Sequence, residues 1–185
     1  LGLGHAILCA KKYVGKSPFA VILPDDLIHG SNCIKELINT YKKHRKNTIG
    51  LMKVKKNLIS NYGVIKGGIK KGKNIEVLDL IEKPDVKNAP SNFAVIGRYV
   101  LESSIMNVLE KIKKGSGNEI QLTDALSKKA QSGLVNGRFF LGRRFDCGNM
   151  LGALQAQVAI SLTRDDLKNE ALKILKNELK IAGKI

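Results

Sequence analysis

The sequence predicts an α/β fold in which a mixed, mostly parallel sheet is flanked by helices. Phe19–Leu23 is a continuous apolar run, the pattern of a strand covered on both faces in a parallel sheet. A helical pattern follows, and Thr48–Val54 predicts a second strand. A strand, a helix and a further strand in this order indicate a right-handed crossover. The length of 185 residues fits one ordinary domain.

The remaining elements follow from the same periodicities. Gly4–Val14 has its apolar residues on one helical face, and Ser31 or Asn32 can cap the helix that follows the first strand. Asn61–Ile65 and Ile75–Ile81 flank a turn rich in Gly and Lys, which predicts a hairpin appended to the sheet. Further predicted elements are a strand at Phe93–Val100 broken by Gly97, helices at Ser103–Lys113 and Glu119–Ala130, a strand at Val135–Phe145, and helices at Leu151–Leu162 and Asp165–Ile181. We expect residues 1–162 to form the domain and residues 163–185 a helix that packs on it or joins an oligomer contact.

The composition describes a globular protein with a large excess of positive charge. Hydrophobic residues make up 43% of the chain, and the formal net charge is +16. This balance favours anionic partners, either a phosphate-rich small ligand or a nucleic acid. The chain has no Trp, no run of five Lys or Arg, and no aromatic residues interleaved with Lys as a stacking surface. A small phosphate ligand is therefore the better prediction.

The cysteines and the apolar runs bear on the compartment. Cys9, Cys33 and Cys147 lie far apart without a CxxC pair, which indicates free thiols in a reducing environment. The chain shows no secretory signal pattern and no apolar run near 18 residues. We therefore expect a cytoplasmic protein without a membrane span.

Two adjacent carboxylates end the first strand in the stretch FAVILPDDL. Asp25 and Asp26 are unfavourable neighbours unless a positive group lies beside them. In open α/β sheets ligands bind at the carboxyl ends of strands, and carboxylates there suit Mg²⁺ that bridges substrate phosphates. An extended backbone sends the two side chains to opposite sides, so at most one faces the crevice. The alternative is a turn that an Asp side chain caps.

Three glycines are candidates for close approach of a ligand to the backbone. Gly2 and Gly4 stand at the start of a predicted helix, where unpaired N–H groups attract anions; an ordinary glycine loop is the alternative. Gly63 follows Asn61 and Tyr62 at the start of the predicted hairpin.

Three charged residues follow predicted strands. Glu82 can accept hydrogen bonds from sugar hydroxyls while the adjacent Lys83 neutralises a phosphate, although a surface ion pair would also explain them. Asp146 offers an isolated carboxylate before a helix.

Six segments occur together in an order that resembles the bacterial UTP–glucose-1-phosphate uridylyltransferases. They are GLGHAILCA, VILPDDL, YGVI, the EKP of IEKPDVKNAPSNFAVIGRYVL, GNEIQLTDAL and FDCGNMLG. The resemblance covers nearly the whole chain, and it implies a Rossmann-like nucleotide-diphospho-sugar transferase fold. It also implies that UTP and glucose 1-phosphate give UDP-glucose and pyrophosphate with Mg²⁺, in an enzyme that is a homodimer or homotetramer.

The resemblance also implies a role for each candidate residue. Asp25 would hold Mg²⁺ with Asp26 assisting or orienting it, and Asp146 would be a second metal ligand. Gly2 and nearby Gly4 would approach the uridine. Gly63 and Glu82 would bind the glucosyl group, and Lys83 would bind the phosphates. Asp25 and Lys83 are thus the expected catalytic residues.

The sequence departs from the family pattern in its nucleotide-binding segments. The glycine-rich G-x-G-T-R loop, the Lys-containing segment after it and the Arg-Gln-Gly segment that reads uracil are not present. The chain therefore resembles the C-terminal two-thirds of the enzyme, and we expect it to be inactive by itself. The alternatives are a sugar-nucleotide-binding subunit without catalysis, a thymidylyl or guanylyl sugar-phosphate transferase, and a basic nucleic-acid module.

Overall fold

A computed structural model describes residues 1–183 and divides the chain into two units. The first unit comprises Leu1–Leu23 and Asn32–Leu141, and the second comprises Pro24–Ser31 and Gly142–Ile185. The boundary that we predicted between residues 162 and 163 falls inside the second unit. Residues 184 and 185, which end the predicted C-terminal helix segment, lie outside the described residues.

The strands are β1 (Phe19–Ile22), β2 (Asp26–His29), β3 (Asn47–Lys53), β4 (Gly63–Lys71), β5 (Asn74–Glu82), β6 (Phe93–Leu101), β7 (Val135–Phe139) and β8 (Arg143–Asp146). The helices are α1 (Leu3–Cys9), α2 (Lys11–Val14), α3 (Cys33–His44), α4 (Ile105–Leu109), α5 (Leu122–Gln131), α6 (Met150–Thr163) and α7 (Lys168–Ile181). Short 3-10 helices cover Lys56–Asn61 and Ser116–Asn118. Within the described residues, no helix is both long and apolar enough to cross a bilayer.

The first unit contains a six-stranded sheet in the order β1-β6-β3-β7-β5-β4. The predicted mixed sheet is confirmed, but the expectation that it is mostly parallel is wrong. Among the strand pairs of the described residues, β3–β7 is parallel and the others are antiparallel. β1 and β3 do run in the same direction, yet β6 lies between them and pairs with both. A local strand–helix–strand pattern cannot show that a strand from later in the sequence lies between its two strands.

β1 is an edge strand, so its predicted burial on both faces is also wrong. Within the part of the chain that the structure describes, it pairs with β6 alone, and its residues alternate between half-buried and exposed, with Ile22 at 55% exposure. Apolar composition alone does not distinguish a central strand from an edge strand.

The predicted hairpin is confirmed as β4–β5, with its turn later than the sequence suggests. Gly67 and Gly68 lie within β4, where the register with β5 shifts, and the turn instead contains Gly72 at φ 60°. A Cβ on Gly67 would lie 2.5 Å from Ile75 Cδ1. Close packing on the partner strand therefore explains a glycine that resembles a turn residue in the sequence.

The segment predicted as one strand at Val135–Phe145 is two strands. β7 continues the six-stranded sheet, whereas β8 pairs antiparallel with β2 in a two-stranded sheet of the second unit. Gly142, at φ 104°, interrupts the extended backbone between them. In the second unit, α6 and α7 pack against each other.

Helices pack on the six-stranded sheet of the first unit. α3 contacts β3 and β6, α5 contacts β5 and β7, and α1 and α4 pack with α5. The core contains, among other residues, Ile49, Leu51, Val77, Leu101 and Leu126, which are at most 1% exposed. Burial of each such side chain stabilises the fold by roughly 1.5–3 kcal/mol. This core therefore holds the surrounding strand ends in position.

Asn32 is confirmed as the cap of α3, since its side chain accepts a hydrogen bond from Lys35 N. Glu82 and Thr123 lie where β5 ends and α5 begins, and they are hydrogen-bonded to each other. The packing of α5 on β5 thus brings together two segments that are distant in the sequence.

Candidate functional site

The two adjacent acids after β1 have different environments. Asp25 is exposed, whereas Asp26, the first residue of β2, is only 4% exposed. The guanidinium of Arg144 on β8 donates from Nε to Asp26 Oδ1. A charge this deeply buried requires a partner, and Arg144 supplies it. The positive group beside Asp26 is therefore an arginine of the same chain, and this placement is compatible with the orienting role predicted for Asp26.

Asp25 and Asp146 border one space in the second unit. A Cβ on Gly148 would lie 3.1 Å from Asp25 Oδ2 and 3.2 Å from Asp146 Oδ1. Cys147 N donates to the backbone oxygen of Asp25 at 2.7 Å, which ties the two segments together. Two carboxylate oxygens thus approach the same point beside the backbone of Gly148, whose N–H donates to Asp146 Oδ1 at 3.2 Å.

The two carboxylates are the residues of this unit that could hold a hard divalent cation. Mg²⁺ is commonly held by one or two carboxylates and keeps its remaining positions for water and substrate phosphates. Within the described residues, no group of three or more His, Cys, Asp and Glu side chains could hold a metal by itself. The donor set therefore suits an ion that arrives with a phosphate ligand rather than a closed structural metal site.

The segment after β8 is shaped by Asn149 and Gly152. The Asn149 side chain accepts a hydrogen bond from Gly152 N at 2.8 Å and donates to Asp146 O at 3.2 Å. A Cβ on Gly152 would lie only 1.8 Å from Asp146 O. The start of α6 therefore packs directly on the end of β8 and fixes the backbone of Asp146.

In the first unit, Gly63 and Glu82 face each other across β4 and β5. Thr123 Oγ1 donates to Glu82 Oε2 at 2.5 Å. A Cβ on Gly63 would lie 3.1 Å from that same carboxylate oxygen and 3.2 Å from the threonine hydroxyl oxygen. The structure thus brings together two predicted glucosyl-binding residues and adds a threonine.

Lys83 is exposed and begins the departure of the chain from the sheet. Its φ is 45°, an uncommon value for a residue with a side chain, and its N–H donates to Tyr62 O at 3.1 Å. Within the described residues, no ion pair joins Glu82 to Lys83. The surface ion pair considered as an alternative is therefore not formed, and the Lys83 ammonium remains available to an anion.

Gly2 and Gly4 pack against the segment before α5. A Cβ on either glycine would lie 2.7 Å from Ile120 O, and Gly4 N donates to the same oxygen at 2.8 Å. Close backbone packing is thus a sufficient reason for glycine at both positions. Their approach to a uridine stays a prediction.

Burial raises the pKa of the Asp124 carboxyl in the first turn of α5, and the Lys128 ammonium opposes part of that shift. Because the folded protein favours the protonated form, the contribution of Asp124 to the free energy of unfolding falls as the pH rises through the ordinary value of 3.8.

Sequence reasoning missed two residues of these arrangements. Thr123 lies inside the GNEIQLTDAL segment. The sequence feature that could have indicated it is the spacing of Thr123 and Ser127, four residues apart, which places two hydroxyls on one helical face. Arg144 precedes Asp146 by two residues, so both side chains lie on the same face of β8. Neither signal identifies its partner without the fold.

The mixed sheet with its flanking helices belongs to a class of nucleotide-transferring enzymes. Residues 1–161 match the nucleotidyl transferase family, and the chain belongs to this family. The chain is 41% identical, over 97% of its residues, to a UTP–glucose-1-phosphate uridylyltransferase of Bacillus subtilis, and it spans 61% of that relative's length. A Staphylococcus haemolyticus enzyme of the same name is 39% identical over 95% of this chain, which spans 61% of it.

Solved structures give the same result. A UDP-glucose pyrophosphorylase complexed with UDP-glucose superposes with a TM-score of 0.85 at 40% identity, covering 88% of this chain and 63% of the other. The UTP-bound enzyme of Acinetobacter baumannii superposes with a TM-score of 0.82 at 36% identity, covering 94% of this chain and 61% of the other. The family resemblance predicted from the six segments is confirmed, as are the predicted mixed sheet and its flanking helices.

Proposed function

We propose that this chain contributes the glucosyl-binding and metal-binding residues of a UTP–glucose-1-phosphate uridylyltransferase. The observation that carries the proposal is the 41% identity to such an enzyme over 97% of the chain. The basic composition, with a net charge of +16, suits a substrate that is rich in phosphate.

The proposed reaction is an in-line displacement at phosphorus. A phosphate oxygen of glucose 1-phosphate attacks the α-phosphorus of UTP, and the bond between that phosphorus and the oxygen bridging to the β-phosphorus breaks. UDP-glucose and pyrophosphate are the products. Positioning and stabilisation of developing charge supply most of the catalysis in such transfers.

The proposed metal-binding residues are Asp25 and Asp146, whose carboxylate oxygens approach one point beside Gly148. Bound Mg²⁺ would neutralise charge on the phosphate oxygens. Asp26, held by Arg144, would orient the strand that begins with it.

In the first unit, different residues are proposed to contact the sugar and the phosphates of the substrate. Glu82, fixed by Thr123, would accept a hydrogen bond from a glucosyl hydroxyl beside the bare backbone of Gly63. The exposed Lys83 ammonium would approach the phosphates as a point charge. Gly2 and Gly4 would lie near the uridine.

Replacing Glu82 with Gln tests the sugar contact. We expect Glu82→Gln to weaken UDP-glucose binding by about 10- to 100-fold, because a charge-assisted hydrogen bond contributes roughly 1.5–3 kcal/mol, and to leave UDP binding unchanged. Isothermal titration calorimetry with Mg²⁺ present measures both. The matched control is Glu76→Gln on the same strand, and an equal loss in both variants would refute the role of Glu82.

A thermal-shift titration with UDP-glucose, with and without Mg²⁺, tests the proposal as a whole. We expect stabilisation by UDP-glucose that grows with Mg²⁺ and exceeds stabilisation by TDP-glucose or GDP-mannose. A stronger response to the thymidine nucleotide would favour a thymidylyl transferase. The absence of any response would overturn the function.

A turnover assay with UTP and glucose 1-phosphate tests whether residues 1–185 catalyse the transfer by themselves. We expect the chain alone to bind without forming UDP-glucose, since its sequence contains no G-x-G-T-R loop. Formation of UDP-glucose by the chain alone would contradict this expectation.

The assembly and the compartment belong to the same proposal. We expect a homodimer or homotetramer, which light scattering measures directly. The three cysteines form no disulfide within the described residues, which supports the proposal of a cytoplasmic location.

A further inference from the structure

We propose that Thr123 is a positioning residue that holds the Glu82 carboxylate in the orientation required to accept a hydrogen bond from a sugar hydroxyl. The inference rests on the proposed function, in which Glu82 binds the glucosyl group. Its basis is the hydrogen bond from Thr123 Oγ1 to Glu82 Oε2 at 2.5 Å, together with the place of that bond at the end of β5.

The hydrogen bond uses only one of the two carboxylate oxygens. Oε2 accepts from Thr123, and among the side chains that the structure describes none forms a hydrogen bond to Oε1. Glu82 is half-buried, so part of the residue is accessible to solvent. One oxygen is therefore held by the protein and the other is left for an incoming hydroxyl.

Gly63 keeps open the space beside this bond. A Cβ there would lie 3.1 Å from Glu82 Oε2, 3.2 Å from Thr123 Oγ1 and 3.6 Å from Thr123 Cγ2. All three atoms border the volume that a side chain at residue 63 would fill. Glu82, Thr123 and Gly63 therefore form one compact arrangement with an unfilled side.

The Glu82 side chain needs a restraint from another element, because the strand that carries it ends at this residue. It is the last residue of β5, and Lys83 leaves the sheet with φ 45°. A glutamate side chain has several rotatable bonds, and fixing them costs conformational entropy at the moment of binding unless they are already restrained. Thr123 provides this restraint from a helix, and its β-branched side chain has few rotamers there.

A second hydroxyl on α5 provides an internal comparison. Ser127, one helical turn after Thr123, donates from Oγ to Asp79 Oδ1 at 2.5 Å. Asp79 lies on β5, the strand that also ends with Glu82. Both pairs attach α5 to the sheet through a hydroxyl and a carboxylate. If Thr123 served only to attach the helix, removal of either hydroxyl would have the same consequences for binding.

The test compares Thr123→Val, Thr123→Ser and Ser127→Ala by calorimetric titration of the full chain with UDP-glucose and with UDP, both with Mg²⁺. We expect Thr123→Val to weaken UDP-glucose binding about tenfold, the effect of one hydrogen bond to a charged group, and to change UDP binding less than about twofold. Thr123→Ser should restore wild-type affinity. Ser127→Ala should lower the melting temperature without changing either affinity.

Each other outcome overturns a distinct statement. A wild-type chain that does not bind UDP-glucose overturns the proposed function and, with it, this inference. Normal UDP-glucose binding by Thr123→Val, or an equal loss for UDP-glucose and UDP, overturns the positioning role while the proposed function stands. If Thr123→Val does not fold, Thr123→Ala removes the hydroxyl without adding volume and answers the same question.

Discussion

Asp25→Asn is expected to weaken the Mg²⁺-dependent binding of UDP-glucose by about 100-fold or more. Loss of a residue that only supports a metal ligand already lowers metal affinity or activity by about 10- to 100-fold, and Asp25 is proposed as a direct ligand. The variant removes the charge but keeps the shape of one of the two carboxylates that approach the point beside Gly148. Titrations of UDP-glucose at several Mg²⁺ concentrations measure the effect.

The matched control is Asp165→Asn, an exposed carboxylate of the same unit that pairs with Lys168. It should leave the Mg²⁺ dependence unchanged. We expect Asp146→Asn to reproduce the loss in Asp25→Asn, since both oxygens border the same space. An Asp25→Asn variant with an unaltered Mg²⁺ dependence would exclude this residue as a metal ligand.

Arg144→Met is expected to lower the free energy of unfolding of the second unit by about 3–5 kcal/mol, because it removes the guanidinium that forms an ion pair with the buried Asp26 carboxylate. Removal of one member of a buried pair is costly, whereas removal of both is often tolerated. The double variant Asp26→Asn/Arg144→Met should therefore recover much of the lost stability.

Urea denaturation followed by circular dichroism measures the loss, and hydrogen exchange of residues 24–31 and 142–163 assigns it to the second unit. Arg164→Met is the matched control, since Arg164 forms an exposed pair with Asp166 and surface pairs contribute about 0–1 kcal/mol. Equal losses in Arg144→Met and Arg164→Met would show that the Asp26 pair has no special weight.

The local elements of the fold could be predicted because their causes are local. The Asn32 cap of α3 and the apolar positions Leu37 and Tyr41 follow from spacing within a few residues. The hairpin β4–β5 follows from two extended patterns separated by a turn. Its exact turn could not be predicted, because Gly67 has a packing role that depends on Ile75 of the partner strand.

The candidate site was predicted in its residue types and only partly in its partners. The charged residues at 25, 82 and 146 follow or end strands, and ligand chemistry at strand ends is a general rule of α/β sheets. The burial of Asp26 against Arg144, in contrast, depends on the pairing of β2 with β8. No periodicity within either strand specifies that pairing.

The sequence by itself determined the family, the chemistry of the side chains and most helices and strands, since each of these depends on residues close together in the chain. Only the tertiary structure decided that β6 lies between β1 and β3, that Asp25 and Asp146 approach one point, and that Thr123 supports Glu82. These three features come from strand pairing and helix docking between distant segments. They are determined by the burial of the whole core, to which a single segment contributes only a part.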